Sequence, residues 1–149
     1  MGVSGIETKN KIKFTVLGEA VAQERARATT HRGRIRMYDP QNSRDFKQYV
    51  GLVASQHAPR KPLEGPLKVR LAIYRPMLKS FSRRRMGLAE HGLYRPTTKP
   101  DLDNYVKSIS DALNKIIWKD DSQVVDLRVS KFYSEQPRIE IEVELLEIN

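Results

Sequence analysis

Four aspartates and one lysine, all in one short stretch, have the types and spacing that suit a divalent metal site. Asp101 and Asp103 stand two residues apart, Lys107 follows Asp103 by four, and the pair Asp120 and Asp121 comes later. If the strand after that pair lies beside the first aspartates, three carboxylates meet, and they repel one another unless a cation separates them. Oxygen ligands without histidine or cysteine suit Mg²⁺ or Mn²⁺. The pattern therefore indicates a carboxylate-bound metal.

Each of these residues also has an ordinary structural alternative. Aspartates in the first turn of a helix cap its free N–H groups and interact favourably with its dipole. Asp103 and Lys107 have the spacing of a helical ion pair. Asp120 and Asp121 have the composition of a turn. Spacing alone leaves the metal site and these alternatives open.

The elements that position these residues follow from hydrophobic periodicity, which predicts the order β-β-α-β-α-β-β. We predict strands at residues 11–18, 34–38, 67–73, 125–129 and 139–145, and helices from Asp39-Pro40 to before Pro59 and from Pro100-Asp101 to near Trp118. Residues 1–10 are expected to be a loose tail, 19–33 a loop, and 77–99 a long basic loop. Residues 11–149 should therefore form one small α+β domain with two helices packed on a mixed β-sheet.

The charge is divided unevenly along the chain. The 149 residues carry a formal charge of +9, with a surplus of +14 before Pro100 and −5 from there on. A basic surface favours a polyanionic partner such as nucleic acid. An enzyme that cuts phosphodiesters needs both signs, because cations hold phosphates and carboxylates hold a metal. Glu140, Glu142 and Glu144 alternate along the last strand and are expected to form a solvated sheet face.

Several classes of function lose their sequence support. The chain has no cysteine, which excludes disulfides, thiol nucleophiles and cysteine–zinc sites and fits a reducing compartment. His31, His57 and His91 do not have metal-ligand spacing. Glycine-rich phosphate and dinucleotide motifs are missing, so no nucleotide cofactor is expected. No apolar stretch is long enough for a membrane span, and we expect a cytoplasmic protein.

The acidic stretch resembles the RusA family of Holliday junction resolvases, a type common in prophages. The resemblance rests on segments that read Pro100-Asp101-Leu102-Asp103-Asn104, Asp111-Ala112-Leu113-Asn114 and Trp118-Lys119-Asp120-Asp121-Ser122-Gln123-Val124-Val125, with Lys107 between them. It extends upstream to Gln23-Glu24-Arg25-Ala26-Arg27 and Tyr38-Asp39-Pro40, and so covers nearly the whole chain from about Lys11. One departure is Ala26, which stands where the family pattern suggests proline between the two arginines.

The resemblance implies a homodimeric, Mg²⁺-dependent endonuclease, with Mn²⁺ as a possible substitute, that nicks four-way junctions symmetrically in DNA recombination and repair. Asp101, Asp103 and Asp121 would hold the metal, Lys107 would assist and Asp120 would support the site. Cleavage would leave 5′-phosphate and 3′-hydroxyl ends. The residues expected to hold DNA phosphates are Arg25, Arg27, Arg32, Arg83, Arg84, Arg85 and Lys99.

Two other functions stay open at this point. The chain could be a basic DNA-binding module without catalysis, in which the aspartates only cap helices. It could also be a metal nuclease for flap or duplex DNA. The sequence does not choose whether Lys107 stabilises charge on phosphorus or fixes the carboxylates.

Overall fold

The computed structural model describes residues 10–24, 27–31, 33–38 and 41–147. The predicted tail lies outside this range except for Asn10, as do Arg25, Arg32 and the predicted helix start at Asp39-Pro40.

A four-stranded mixed sheet forms the centre of the fold, as predicted. Its strands are β1 (Lys11–Leu17), β4 (Leu67–Pro76), β5 (Val124–Ser134) and β6 (Arg138–Leu145), in the spatial order β1-β6-β4-β5. β6 pairs antiparallel with both β1 and β4, whereas β4 and β5 run parallel and need a crossover connection. That connection carries the whole candidate site. A separate hairpin joins β2 (Arg27–His31) to β3 (Arg34–Tyr38), so the loop predicted over 19–33 is wrong for its last part.

Three helices are described, not the two predicted: α1 (Gln41–Ser55), α2 (Arg83–Glu90) and α3 (Leu102–Leu113). The basic loop predicted over 77–99 is wrong for residues 83–90, which form α2. The Ser82 side chain caps that helix by accepting from the backbone N–H of Arg85, and arginines lose little rotamer freedom in a helix. Periodicity missed α2 because only Ala89 of the helix is buried.

The second predicted helix is shorter than expected and ends at Leu113, not near Trp118. Asn114 is extended with ψ 133°, and Lys115 has a positive φ of 69°. The apolar side chains that extended the predicted pattern, Ile117 and Trp118, are buried from a turn after the helix. The Trp118 indole N–H donates to Asn114 Oδ1 at 2.6 Å, which holds this turn against the end of α3.

The core lies between one face of the sheet and the two longer helices. Alternate residues of the strands, such as Val69, Leu71 and Ile141, face α1 and α3 and are almost completely buried. α1 approaches the end of α3 closely at Gly51, where a Cβ atom would lie 3.3 Å from Ile116 Cδ1. The other side chains alternate onto the opposite face of the sheet. Within the part of the chain that the structure describes, no helix is long and apolar enough to cross a membrane.

α2 is fixed to the end of β5 by aromatic contacts. The Phe81 ring meets the rings of Tyr94 and Tyr133 edge-on at 5.4 and 5.0 Å, and Tyr94 stacks on Tyr133 at 5.7 Å. The Arg85 guanidinium lies 5.1 Å from the Tyr94 ring centroid. Because Tyr133 belongs to β5, these contacts make residues 81–95 a folded unit on the sheet.

Candidate active site

The first part of the candidate site is the segment at the start of α3, residues 98–101, which we call the helix mouth. Asp101 occupies the N-cap position, and its backbone oxygen accepts from the N–H groups of Asn104 and Tyr105 at 3.2 and 3.4 Å. Its side chain makes no capping hydrogen bond. The carboxylate of Asp101 is exposed and makes no ion pair with any described residue, so the ordinary capping role is left unfilled.

Two cations from the sheet hold the helix mouth. Lys131 of β5 donates from Nζ to the backbone oxygens of Thr98 and Pro100, each at 3.1 Å. Arg75 of β4 donates to the backbone oxygen of Lys99 at 3.2 Å and to the Thr98 hydroxyl at 3.4 Å. These four hydrogen bonds fix the backbone immediately before Asp101.

A cleft of about 400 Å³ between α3 and β5 brings together three of the predicted site residues: Asp103, Lys107 and Asp121. All three are exposed. Asp103 and Lys107 have the spacing of a helical ion pair but do not form one, so both charges remain available to the cleft. The apolar floor of the cleft includes Val69 and Trp118.

The last part of the candidate site is a single 3₁₀ turn, Asp121–Gln123, which leads into β5. Asp120 caps it by accepting from the N–H of Ser122 at 2.9 Å, and the backbone N–H of Asp120 donates to Gln123 Oε1 at 2.9 Å. Hydrogen bonds from the side chain and backbone of Ser122 lower the pKa of Asp120. Asp120 therefore has an ordinary structural role as the cap of this turn. The side chain of Asp121 has no partner in the described chain.

The amide of Gln123 ties this turn to a distant loop. Its Nε2 donates to the backbone oxygens of Leu63 and Gly65 at 2.9 and 3.1 Å. We call Asp120, Gln123 and these two acceptors the amide clamp. It fixes where Asp121 enters the cleft.

The structure does not bring Asp101 into the same cleft. Asp101 lines a neighbouring cavity of about 490 Å³ whose walls include Arg75, Asn104 and Tyr105. Asp103, two residues further on, lines the cleft with Asp121, so the boundary between the two cavities falls within the first turn of α3. Among the described residues of one chain, no three histidine, cysteine or acidic side chains are placed to hold a metal ion together.

The other acidic residues have structural or solvent contacts. Asp111 pairs with Lys47 at 3.3 Å. Glu142 lies on the open face of the sheet, as predicted, and a hydrogen bond from Lys11 at 2.9 Å holds the pKa of its carboxyl below the ordinary value. Asp126 is exposed on the same face.

The predicted DNA-binding residues divide into groups. Arg83 and Arg84 are exposed and make no contact with a described side chain. Arg85 is engaged with the rings of Phe81 and Tyr94. The side chain of Lys99 is exposed at the helix mouth. Arg25, Arg32 and the side chain of Arg27 lie outside the described residues.

Sequence reasoning missed Lys131 and Arg75 as residues that shape the site. Both stand on strands far from Asp101 in the chain, and no local pattern marks a lysine that will bind the carbonyls before a helix. Gln123 was visible as part of the Asp120–Gln123 motif, because a residue three after an N-cap can complete a capping box. Its bonds to the distant loop had no such signal.

Comparisons with known proteins agree with the resemblance. The family described as endodeoxyribonuclease RusA matches residues 18–144. The uncharacterized protein YqaN of Bacillus subtilis strain 168 is 59% identical over 132 residues, which cover 87% of this chain and 93% of that protein. A crossover junction endodeoxyribonuclease of Lactococcus phage r1t is 46% identical over 48 residues, or 32% of this chain and 37% of the phage protein.

Proposed function

The chain belongs to the RusA endodeoxyribonuclease family, and on that premise we propose that it resolves Holliday junctions by paired, symmetric, Mg²⁺-dependent nicks in DNA recombination and repair. One observation about the side chains supports this most. Asp101, Asp103 and Asp121 each occupy a position with an ordinary structural use, yet all three carboxylates are exposed and without a described partner. Carboxylates kept free beside a lysine suit metal-assisted phosphodiester hydrolysis.

The donor atoms fit Mg²⁺ in kind but not in number within one chain. All three are carboxylate oxygens, which Mg²⁺ prefers, but the described residues of a single copy do not place three acidic groups together. In our proposal a second copy completes the ligand set, with Asp101 and Asp103 from one protomer and Asp121 from its partner. The exposed edge of β5 supports such a dimer, because Val125 and Leu127 are 65% and 44% exposed there, just after Asp121.

Two-fold symmetry also suits the substrate. A four-way junction has approximate two-fold symmetry, and a C₂ dimer carries two identical sites related by the same operation. The two sites would face opposed strands, which gives paired nicks. A resolvase built in this way needs both protomers for each cut and both cuts for each junction.

In this proposal the metal, Lys107 and the basic surface residues have different roles in cleavage. Bound Mg²⁺ supplies a Lewis acid for a phosphoryl oxygen and lowers the pKa of water. Lys107 is exposed one helical turn after Asp103, where its ammonium would stabilise negative charge as it develops on phosphorus at the site that Asp101 and Asp103 help to form. Arg83, Arg84 and Lys99 hold backbone phosphates, which fixes the position of the junction without reading its bases. The products carry 5′-phosphate and 3′-hydroxyl ends.

The test is cleavage of labelled DNA by the parent protein and by Asp101→Asn, which removes a charge and keeps the shape. We expect the parent to cut a four-way junction with Mg²⁺ and not with EDTA, and Asp101→Asn to bind the junction but not cut it. Matched flap and duplex substrates of the same sequence serve as controls. Cutting of flap or duplex in preference to the junction would identify a different nuclease, and binding without any cutting would identify a DNA-binding module.

A further inference from the structure

We propose that Lys131 and Arg75 are positioning residues for cleavage: by holding the helix mouth from two strands, they set the direction in which Asp101 presents its carboxylate. This inference rests on the proposed function. It adds two residues that touch neither the carboxylate nor the reacting atoms. Their role would be to fix the backbone on which a metal ligand is mounted.

The contacts are concentrated on the residues that decide the direction of Asp101. Lys131 binds the carbonyl oxygens of Thr98 and Pro100, and Arg75 binds the carbonyl oxygen of Lys99 between them. Three consecutive carbonyls before Asp101 are thus held by side-chain cations. β4 and β5 are paired along their length, with Arg75 opposite Tyr133 and Ile73 opposite Lys131, so both cations project from one rigid base.

The sign of these charges argues against a role in helix stability. The N-terminus of a helix is the positive end of its dipole, and cations there are unfavourable. A chain that needed only a stable α3 would gain more from a neutral cap at this point. The two cations are better explained by what they bind, which is the three backbone carbonyls immediately before Asp101.

The cations also leave the ligand free. Neither Lys131 nor Arg75 forms an ion pair with Asp101, and each spends its described hydrogen bonds on residues 98–100. The hydrogen bond from Lys131 to Pro100 is partly buried, whereas the one to Thr98 is exposed. Orientation through outer partners is a general feature of metal sites, and the loss of such a partner typically costs about 10–100-fold in affinity or activity.

The experiment compares Lys131→Met, Lys131→Arg and the parent, with Lys68→Met as the control for removing an exposed lysine from the same sheet. Cleavage is measured with saturating junction over a range of Mg²⁺, and junction affinity is measured with EDTA. Exchange of the Asn104 and Tyr105 amides, which bond to the Asp101 carbonyl, reports the order of the helix mouth without any metal.

We expect Lys131→Met to lower kcat by about 10-fold or more, to raise the Mg²⁺ concentration at half-maximal rate, and to speed exchange of both amides. Junction affinity in EDTA should stay within about twofold, and Lys131→Arg should recover part of kcat, since Arg also donates to carbonyls. If Lys131→Met does not fold, Arg75→Met carries the same measurements.

Other results would overturn the inference. An unchanged kcat, whether or not the melting temperature falls, would mean that Lys131 and Arg75 have a structural role only. Weaker junction binding with a smaller salt dependence and a normal kcat makes Lys131 a phosphate contact. A parent protein that cuts no junction in Mg²⁺ contradicts the proposed function itself. In that case hydrogen exchange of the Asn104 and Tyr105 amides still tests whether Lys131 and Arg75 order the helix mouth.

Discussion

The two ends of the candidate site, the helix mouth and the turn before β5, are held in place by different kinds of hydrogen bond. At the helix mouth, Lys131 and Arg75 grip three carbonyls through charged hydrogen bonds that come from distant strands. At the other end, the amide clamp holds the turn before β5 through neutral donors and a local capping box. The helix mouth is therefore held by positively charged side chains, whereas the turn before β5 is held by uncharged ones.

The difference indicates which end tolerates change in its surroundings. Charged hydrogen bonds are stronger than neutral ones, but exposed ones are screened by salt. Neutral amide bonds do not depend on ionic strength in this way. The placement of Asp101 should therefore depend on ionic strength, while the placement of Asp121, which rests on the neutral hydrogen bonds of the amide clamp, should depend on it less. We expect substitution of the metal ligands to have the largest effect, substitution in the amide clamp a smaller one, and loss of phosphate contacts the smallest.

The largest effect is expected when a carboxylate is neutralised at either end. Asp103→Asn and Asp121→Asn should each lower cleavage by about 1,000-fold, since a metal contributes several kcal/mol to the transition state. Asp120→Asn is the matched neighbour and should lose far less, because its side chain serves as a cap. Rates are read from labelled junctions at saturating Mg²⁺.

Mixing the two inactive variants tests whether the two ends belong to different protomers. If Asp103 of one copy works with Asp121 of the other, a mixed dimer of Asp103→Asn and Asp121→Asn contains one intact site and one doubly damaged site. Refolding the two variants together should restore single nicks but not paired cuts. If both ends act within one copy, every site in the mixture carries one damaged ligand and no activity returns.

An intermediate effect is expected from breaking the amide clamp. Gln123→Ala removes one acceptor and two donors, and at about 1 kcal/mol for each hydrogen bond we expect a loss of about 1–3 kcal/mol in the free energy of unfolding. Urea unfolding measures it. Gln123→Glu keeps the acceptor for Asp120 but turns a carboxylate oxygen toward the carbonyls of Leu63 and Gly65 and adds a negative charge beside Asp120 and Asp121, so its loss should be at least as large as that of Gln123→Ala. A loss that shrinks steeply with added salt would contradict the neutral character of this end.

The smallest effect on cleavage chemistry is expected from α2, which contributes none of the proposed metal ligands. Arg83→Ala and Arg84→Ala should each weaken junction binding and reduce the salt dependence of affinity by about one ion, with kcat at saturation preserved. Arg85→Ala should instead cost about 0.5–1 kcal/mol of stability, since its guanidinium lies over Tyr94. Fluorescence anisotropy over a salt series, with thermal unfolding of the same samples, separates the two outcomes. Equal losses of affinity in all three variants would show that Arg85 also reaches the DNA.

The sequence predicted the elements whose apolar residues repeat regularly and missed those that tertiary contacts create. The alternation of Leu67 to Ile73 and of Ile139 to Leu145 was sufficient to identify β4 and β6, and both are confirmed. α2 was missed because an arginine-rich helix that buries only Ala89 has no apolar stripe, and it is held by Phe81, Tyr94 and Tyr133 instead.

The same contrast applies to the site. The sequence singled out Asp120 and Gln123 through the family resemblance and did not predict the capping box that they form, although its fixed local spacing could have identified it. The hydrogen bond from Lys131 to Pro100 joins two segments 31 residues apart, and no local sequence pattern predicts it. The family resemblance grouped Asp101, Asp103 and Asp121 as metal ligands, but their distribution over two cavities depends on the crossover between β4 and β5.

The position of the one tryptophan gives the molecule an intrinsic fluorescent probe. Trp118 is fully buried, donates its indole N–H to Asn114, and lines the cleft that contains Asp121. With no second indole in the chain, its ultraviolet emission comes from this end of the site alone. Among the described residues that line the cavity of Asp101, the one aromatic side chain is Tyr105, which does not absorb at the red edge of the tryptophan band. Excitation at the red edge of the absorption band therefore follows one half of the site in an unlabelled protein.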